Sequence, residues 1–264
     1  LRMSVAGVAW ATVISQFLSM TLIVICLSHS NIMGIRFMPR QMRIDRDKLV
    51  RIVKIGLPAG LQSALFSISN VMIQTAVNSF GSIMVAANSA AGNIDGFAGA
   101  IMNAYYNAAI SFTGQNMGAK KYDRIDKIAK VCTVLIFATW IIMGGAILIF
   151  GKPLVALYRP DPEVIELGML RMRIMMAAYF TCGVMNVFPG LTRGMGYSIS
   201  PMICTLIGAC LMRIVWLKTF FTWYPTVVML FACYPVTWGL AGLGQVGIFF
   251  YARRRIRNTL PTAC

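Results

Sequence analysis

The sequence predicts an all-α membrane protein, on the strength of three observations. Of the 264 residues, 58% are hydrophobic and only 12% are charged, whereas a soluble domain carries about 25% charged residues. The mean hydropathy is +0.72. The apolar residues form runs of about 20, which is the length a helix needs to cross a bilayer, and not the short alternating segments of a membrane barrel. This composition excludes a soluble enzyme, a disordered tail and a fibrous protein.

About seven transmembrane helices are predicted along the chain. The first apolar run has no charged leader and no small-residue cleavage site, so we interpret it as a span and not as a signal peptide. Because the chain opens inside this span, we expect it to be a fragment of a longer protein. The spans cover residues 3–28, 55–79, 83–113, 129–150, 167–190, 199–221 and 229–252. The sixth is the weakest, because Arg213 and Lys218 interrupt it.

The formal net charge of +16 is concentrated between the spans. Most of the 24 Lys and Arg residues follow the first, third, fifth and seventh spans, as in the basic runs 36–54 and 120–130. Cytoplasmic loops carry such an excess, so we expect the C-terminus to lie in the cytoplasm of a multi-pass plasma-membrane or inner-membrane protein. Few basic residues are left over for a soluble basic face, so no nucleic-acid partner is expected.

The charge pattern also divides the chain. Leu49 and Ile52 share a face of a basic segment, which is typical of an interfacial helix on the bilayer surface, but a solvated connector fits equally well. The predicted organisation is a transmembrane helix over 1–30, a basic connector over 31–54, a six-helix lobe over 55–254 and a basic tail over 255–264.

Metal, redox and covalent chemistry are not expected. The seven cysteines are scattered without a C-x-x-C pair, and His29 is the sole histidine. Since zinc sites need clustered ligands, we interpret the cysteines as packing residues and predict no cofactor. No nucleophile–base pair lies within a span, so the chain is not expected to be an enzyme. A retinal protein is excluded because residues 229–252 contain no lysine.

Polar residues line one face of two consecutive spans. The second span carries them at spacings of four, three, four and four: Ser63, Ser67, Asn70, Gln74 and Asn78. The third carries Asn88, Gly92, Asp95, Gly99, Asn103 and Tyr106, with Asn93 on a stripe beside them. Polar residues in a span face other helices or a water-filled cavity. Helix–helix hydrogen bonds explain one or two per helix better than five or six, so we predict a hydrated cavity.

Two ions are expected near the middle of the membrane. Asp95 and Arg213 each lie twelve residues, or about 18 Å, from one end of their spans, in a hydrocarbon core about 30 Å thick. Because an ion there needs a partner, we expect Asp95 and Arg213 to approach each other directly or through water. The contact is either one that changes as the protein works or a static structural pair.

The fifth span combines a polar face with helix-breaking residues. Asn186 is expected to face the cavity, and Pro189-Gly190 is followed closely by Gly194-Met195-Gly196. Proline and glycine free backbone groups and kink helices. This pattern predicts either a hinge or the end of the helix.

Four segments together resemble a known family. They are IGLPAGLQSALFSISNVMIQTAVNSFG (55–81), VAANSAAGNIDGF (85–97), FTGQNMGAKKYDRI (112–125) and GLTRGMGYSISPM (190–202). They resemble the C-terminal half of the multidrug and toxic compound extrusion (MATE) transporters. The resemblance implies twelve spans in two six-helix lobes around a central cavity, with residues 3–28 as the sixth span. It also implies that uptake of Na⁺ or H⁺ drives extrusion of cationic, amphipathic compounds.

The chain departs from the family where some members bind cations. A glutamate of the seventh span falls near Phe66–Ser67, and an acid of the tenth span near Cys182–Gly183, and neither is present here. The resemblance therefore leaves open whether Na⁺ or H⁺ is the coupling ion. Asp95 is the local candidate carboxylate.

The resulting expectation is an ion-coupled multidrug antiporter that works by alternating access. Its partners would be a cationic or amphipathic small molecule, a coupling cation, the lipid bilayer and an N-terminal lobe outside this chain. The expected cavity residues are Asp95, Asn70, Gln74, Asn93, Asn103, Tyr106, Asn186 and Arg213. Two alternatives stay open: a flippase for lipid-linked saccharides, which would need more positive charge in its cavity, and an inactive half-transporter.

Overall fold

The computed structural model describes residues 4–29 and 43–259, and no strand occurs among them. Their helices are α1 (Ser4–His29), α2 (Arg46–Asn78), α3 (Ser82–Gly118), α4 (Asp123–Tyr158), α5 (Pro162–Ala177), α6 (Tyr179–Gly194), α7 (Ile199–Thr205), α8 (Met212–Lys218), α9 (Phe220–Trp223) and α10 (Val227–Thr259), with a π-helical segment, Leu206–Leu211, between α7 and α8. The expected all-α class is confirmed. By internal contacts the chain divides into two units, Leu1–Arg51 and Ile52–Cys264.

Within residues 4–29 and 43–259, five helical stretches are long and apolar enough to cross a membrane. They are Ala9–Cys26, Arg46–Asn78, Asp123–Tyr158, Ile199–Trp223 and Val227–Asn258. The bent pair α5 and α6 adds a sixth if the two helices form one span. The predicted third span is α3, which is 37 residues long and so about 55 Å in length. Its amides and glycines lower its hydropathy, so the count of seven spans stays a prediction.

The basic connector continues directly into the second span. The Asp45 side chain accepts hydrogen bonds from the backbone N–H groups of Asp47 and Lys48, as an N-terminal helix cap does. The helix that begins at Arg46 then runs without interruption to Asn78. Residues 31–42 of the expected connector lie outside the described residues.

The core of the second unit is built around α6. Helix α6 packs against α3 and α10, while α4 and α5 pack against α3. Two glycines allow the close approach of α6 to α3. A Cβ atom on Gly190 would lie 2.8 Å from the Tyr106 carbonyl oxygen, and one on Gly194 would lie 2.6 Å from the Thr113 Cβ. Side chains larger than hydrogen would therefore push the two helices apart.

Pro189 and Gly190 lie inside helix α6, which ends at Gly194, so the helix ends a turn beyond this pair and a hinge there stays a prediction. The chain bends by 55° between α5 and α6, at Ala178. Gly194 ends α6, and Gly196 lies in the turn that follows with a φ of +92°, a conformation that glycine adopts without strain.

A π-helical segment interrupts the sixth predicted span. Gly208 lies within it, and a Cβ there would be 2.9 Å from the Ala241 Cα of α10. Short π-helical segments insert an extra residue into an α-helix and shift the direction of the side chains that follow. Arg213 follows directly, in α8.

Candidate functional site

Three helices and the last residue of a fourth surround a cavity of about 410 Å³, which we call the polar cavity. Its lining comprises Ala59, Gln62, Ser63, Phe66 and Ser67 of α2, Asn103 and Tyr106 of α3, Met185, Asn186, Pro189 and Arg193 of α6, and Thr205 of α7. Amides and hydroxyls alternate there with an aromatic ring and a thioether. The cavity therefore offers both hydrogen bonds and apolar contact to a small molecule.

Helical spacing places the polar residues of each helix on the cavity side. Ser63 and Ser67 are one turn apart on α2, and the Ser67 hydroxyl donates a hydrogen bond to the Ser63 carbonyl. The amide groups of Asn103 and Asn186 donate to the carbonyl oxygens of Gly99 and Cys182, at 3.2 and 2.8 Å. These bonds to the residue one turn earlier hold each amide against its own helix.

Arg193 is the charged residue of the polar cavity. The side chain is only 9% exposed. Its Nη1 donates to the Tyr106 hydroxyl at 2.7 Å, and its Nη2 donates to Gln62 Oε1. The guanidinium carbon also lies 5.8 Å from the centre of the Tyr106 ring. Arg193 thus joins α6 to α3 and α2 through neutral partners, while its Nε has no hydrogen-bond partner.

A second group of charges, which we call the arginine cluster, consists of Asp95, Arg171 and Arg213. Arg171 Nη1 lies 2.7 Å from Asp95 Oδ2, although the angle between the groups is not that of a hydrogen bond. The guanidinium of Arg171 also lies 5.6 Å from the centre of the Phe231 ring. The pair is almost wholly buried, so Arg171 neutralises Asp95 inside the helical bundle.

Arg213 is stabilised without a counter-charge. It is 1% exposed, and its Nη1 donates to Asn70 Oδ1 at 2.8 Å. The rings of Phe66 and Tyr234 lie 4.8 and 4.7 Å from its guanidinium carbon. Cation–π contacts at this distance stabilise a buried cation. Arg213 therefore rests between two aromatic faces and an amide.

Asp95 forms its ion pair with Arg171 and not with Arg213, and the expected approach of Asp95 and Arg213 through water stays a prediction. The physical reason for the pairing with Arg171 is the packing of α5 on α3. Gly168 of α5 faces α3, since a Cβ on it would be in ordinary van der Waals contact with the Ala87 carbonyl oxygen, at 3.6 Å. Arg171, almost one turn further along α5, is thereby brought level with Asp95.

The eight expected cavity residues separate into several places. Asn103, Tyr106 and Asn186 line the polar cavity. Asp95 and Arg213 belong to the arginine cluster, and Asn70 accepts a hydrogen bond from Arg213. Gln74 bridges two helices by accepting from Asn88 Nδ2 and donating to Asn78 Oδ1. Asn93 is exposed on α3. Phe66 connects the two groups, because it lines the cavity and stacks on Arg213.

Arg193, Gln62 and Arg171 are absent from the residues expected at the site. A signal for Arg193 exists in the sequence, since it lies seven residues after Asn186, two turns along the same helical face. Within the described residues, no group of three or more His, Cys, Asp or Glu lies together, and the lack of a metal site stays a prediction.

Comparison with known families and proteins gives consistent matches. A family model described as MatE matches residues 58–217. The probable multidrug resistance protein YpnP of Bacillus subtilis is 26% identical over 84% of this chain and 49% of its own length. The FAD transporter of Shewanella oneidensis is 24% identical over 71% of this chain and 41% of its own length. The chain thus spans about half the length of the curated relatives it matches.

A solved structure shares the fold. The outward-facing conformation of a multidrug resistance MATE family transporter of the MOP superfamily superposes with a TM-score of 0.83 at 17% identity. The match covers 97% of this chain and 57% of that one. At this identity, the likeness establishes the fold and not the substrate.

Proposed function

Because this chain belongs to the MATE family of membrane transporters, we propose that it exports amphipathic small molecules by ion-coupled alternating access. The observation that carries the proposal is the polar cavity, which lies within a bundle of apolar helices. A cavity with amides, hydroxyls, Phe66 and Met185 suits molecules that have one polar and one apolar part.

The charges of the residues that line the polar cavity affect which class of substrate it suits. The expected preference for cationic compounds calls for a carboxylate beside the substrate, and none of the lining residues is acidic. Asp95 lies elsewhere and is already paired with Arg171. We therefore propose amphipathic compounds as the substrate class without the restriction to cations.

Coupling to Na⁺ or H⁺ is assigned to Asp95 in this proposal. The Arg171 guanidinium occupies the position beside the carboxylate that a metal cation would take. Protonation of Asp95 would remove the charge that holds Arg171, whereas Na⁺ would have to displace it. This difference favours H⁺ as the coupling ion.

The proposal includes a second lobe. The chain spans 49% of YpnP and 57% of the outward-facing transporter, so the relatives contain a comparable length of further chain. We propose that the polar cavity forms one wall of a substrate site whose other wall belongs to an N-terminal lobe. An inactive half-transporter is the alternative outcome.

Drug tolerance of an efflux-deficient bacterial host tests the exporter function. The chain is expressed alone and together with the half of YpnP that it does not match, and growth is measured in ethidium and in anionic and neutral amphipathic inhibitors. We expect the chain to raise tolerance at least when the second half is present. Failure to raise tolerance in both settings, with the protein in the membrane, would reject the proposal.

A pair of neighbouring substitutions on α2 separates the cavity from general damage. Ser67→Trp places an indole in the polar cavity and is expected to abolish the gain in tolerance. Ile68→Trp adds the same side chain at a position that is 57% exposed and does not line the cavity, and it is expected to preserve the gain. Equal loss in both variants would show that the cavity is not the transport route.

A further inference from the structure

We propose that the polar cavity binds the anionic end of an amphipathic molecule, a carboxylate or a phosphate group, through the guanidinium of Arg193. The inference deepens the proposed exporter function and rests on it for its biological meaning. The binding itself is a property of the cavity and is tested separately.

The positive charge of Arg193 is not balanced by any other group that lines the polar cavity. Arg193 is buried, and each of its hydrogen-bond acceptors is neutral, namely the Tyr106 hydroxyl and the Gln62 amide oxygen. The remaining lining residues carry no charge. A cation inside a membrane protein is costly unless it is paired, and pairing by an anionic ligand relieves that cost.

Arg193 also has N–H donors that its hydrogen bonds to Tyr106 and Gln62 leave unengaged. A guanidinium has five N–H donors, and the hydrogen bonds to Tyr106 and Gln62 engage one on Nη1 and one on Nη2. The planar arrangement of these donors matches two oxygens of a carboxylate or phosphate. Tyr106 and Gln62 hold the group in place, so the ligand meets a fixed donor set.

Arg171 and Arg213, which are also buried, differ from Arg193 in the groups that surround them. Arg171 has a carboxylate at 2.7 Å, and Arg213 lies between two aromatic rings at less than 5 Å. Neither lines the polar cavity. Among these three, Arg193 is the one that lines the polar cavity, and no acidic residue in the described part of the chain pairs with it.

The rest of the cavity suits the remainder of such a molecule. Ser63, Ser67 and Asn186 are exposed to it and provide hydrogen-bonding groups, while Phe66 and Met185 provide an apolar wall. An amphipathic anion would place its charge at Arg193 and its apolar body toward Phe66. A soluble solute and a lipid headgroup share this chemistry.

Binding of two fluorescent dyes to the purified full chain in detergent tests the site. Carboxyfluorescein is the anionic probe, and rhodamine 6G is a cationic probe with a related ring system. Fluorescence anisotropy is expected to show preference for the anion. Arg193→Gln is expected to weaken anion binding about tenfold or more, as loss of a charge-assisted hydrogen bond does. Arg124→Gln, which removes an exposed cation of α4, is the matched control and is expected to have no effect.

A second variant tests the anion site if Arg193→Gln fails to fold. Asn186→Asp places a carboxylate in the cavity and leaves the Arg193 contacts intact. It is expected to weaken anion binding and to strengthen cation binding. The proposal is overturned if the unmodified chain prefers rhodamine 6G, or if a folded variant binds carboxyfluorescein as tightly as the unmodified chain does.

Competition identifies the source of the anion. Displacement of carboxyfluorescein by short-chain phosphatidic acid supports a lipid headgroup, and displacement by inorganic phosphate alone supports a soluble solute. The absence of displacement by either overturns the assignment to carboxylate or phosphate. If anion binding depends on Arg193 while drug tolerance is unchanged, the exporter function fails and the site stands. The reverse pattern overturns the site alone.

Discussion

At the scale of single residues, three buried arginines show three ways of keeping a cation inside a membrane protein. Arg171 has a carboxylate, Arg213 has two aromatic rings and an amide, and Arg193 has a hydroxyl and an amide. Their partners lie on other helices, so each arginine also ties helices together. The Asp95–Arg171 pair contains a full counter-charge, so it is the most sensitive of the three to the loss of one residue.

We predict that Asp95→Asn destabilises the protein by about 3–5 kcal/mol, because it leaves the buried Arg171 without a counter-charge. Arg171→Met is expected to cost a similar amount. The double variant should recover most of the loss, since it removes both charges together. Thermal unfolding in detergent measures each effect, and strictly additive losses would show that the two residues do not act as a pair.

An exposed ion pair in the same chain is the control. Arg253 donates to both carboxylate oxygens of Asp126 at 2.9 Å, but the Asp126 side chain is 52% exposed. Exposed pairs contribute about 0–1 kcal/mol. Asp126→Asn is therefore expected to shift the unfolding temperature much less than Asp95→Asn.

At the scale of elements, the contact between α6 and α3 positions the polar cavity. Asn186, Pro189 and Arg193 reach the cavity from α6, while Asn103 and Tyr106 reach it from α3. Gly190 and Gly194 set the distance between the two backbones. A small change in that distance moves the groups that hold the Arg193 guanidinium.

We predict that Gly190→Ala destabilises the protein by about 1–3 kcal/mol, the usual cost of overpacking. The new methyl group would clash with the Tyr106 carbonyl oxygen, whose helix also carries the Tyr106 hydroxyl bound to Arg193. The effect is measured as a lower unfolding temperature and as weaker binding of carboxyfluorescein.

The matched control is Gly247→Ala in α10, where a Cβ has no neighbour within 4 Å. Alanine stabilises a helix interior relative to glycine by about 1 kcal/mol, so this variant is expected to be unchanged or slightly more stable. If Gly190→Ala behaved in the same way, the close approach of α6 to α3 would not be limiting.

At the scale of the whole molecule, basic residues determine how the helices are oriented across the membrane. The basic run from Arg253 to Arg257 follows the last apolar helix, and cytoplasmic flanks carry such runs. We predict that the C-terminus is cytoplasmic.

Reporter fusions measure this orientation. Green fluorescent protein fused to the C-terminus is expected to fluoresce, whereas alkaline phosphatase, which needs the disulfides of an oxidising compartment, is expected to be inactive there. Fusions after Gly81 should give the opposite pattern. Active phosphatase at the C-terminus would contradict the orientation.

Prediction from the sequence succeeded where the information is local to one helix. The all-α class and the polar faces of α2 and α3 follow from spacing along the chain. Asn103, Tyr106 and Asn186 line the polar cavity, and their role in binding a substrate or an ion stays a prediction. The family was recognised from short segments of residues that are likewise local. Helical periodicity determines which residues share a face of one helix, and this does not depend on how the helices pack together.

Only the tertiary structure decided which faces meet. It paired Asp95 with Arg171, brought Arg193 into the polar cavity, and placed a bend at Ala178. These outcomes depend on how closely two helices approach, which is set by contacts such as Gly190 near Tyr106 and Gly194 near Thr113. Such contacts join residues far apart in the chain. The sequence by itself therefore determined the helices and their polar faces, and the packing of glycines between helices determined the site.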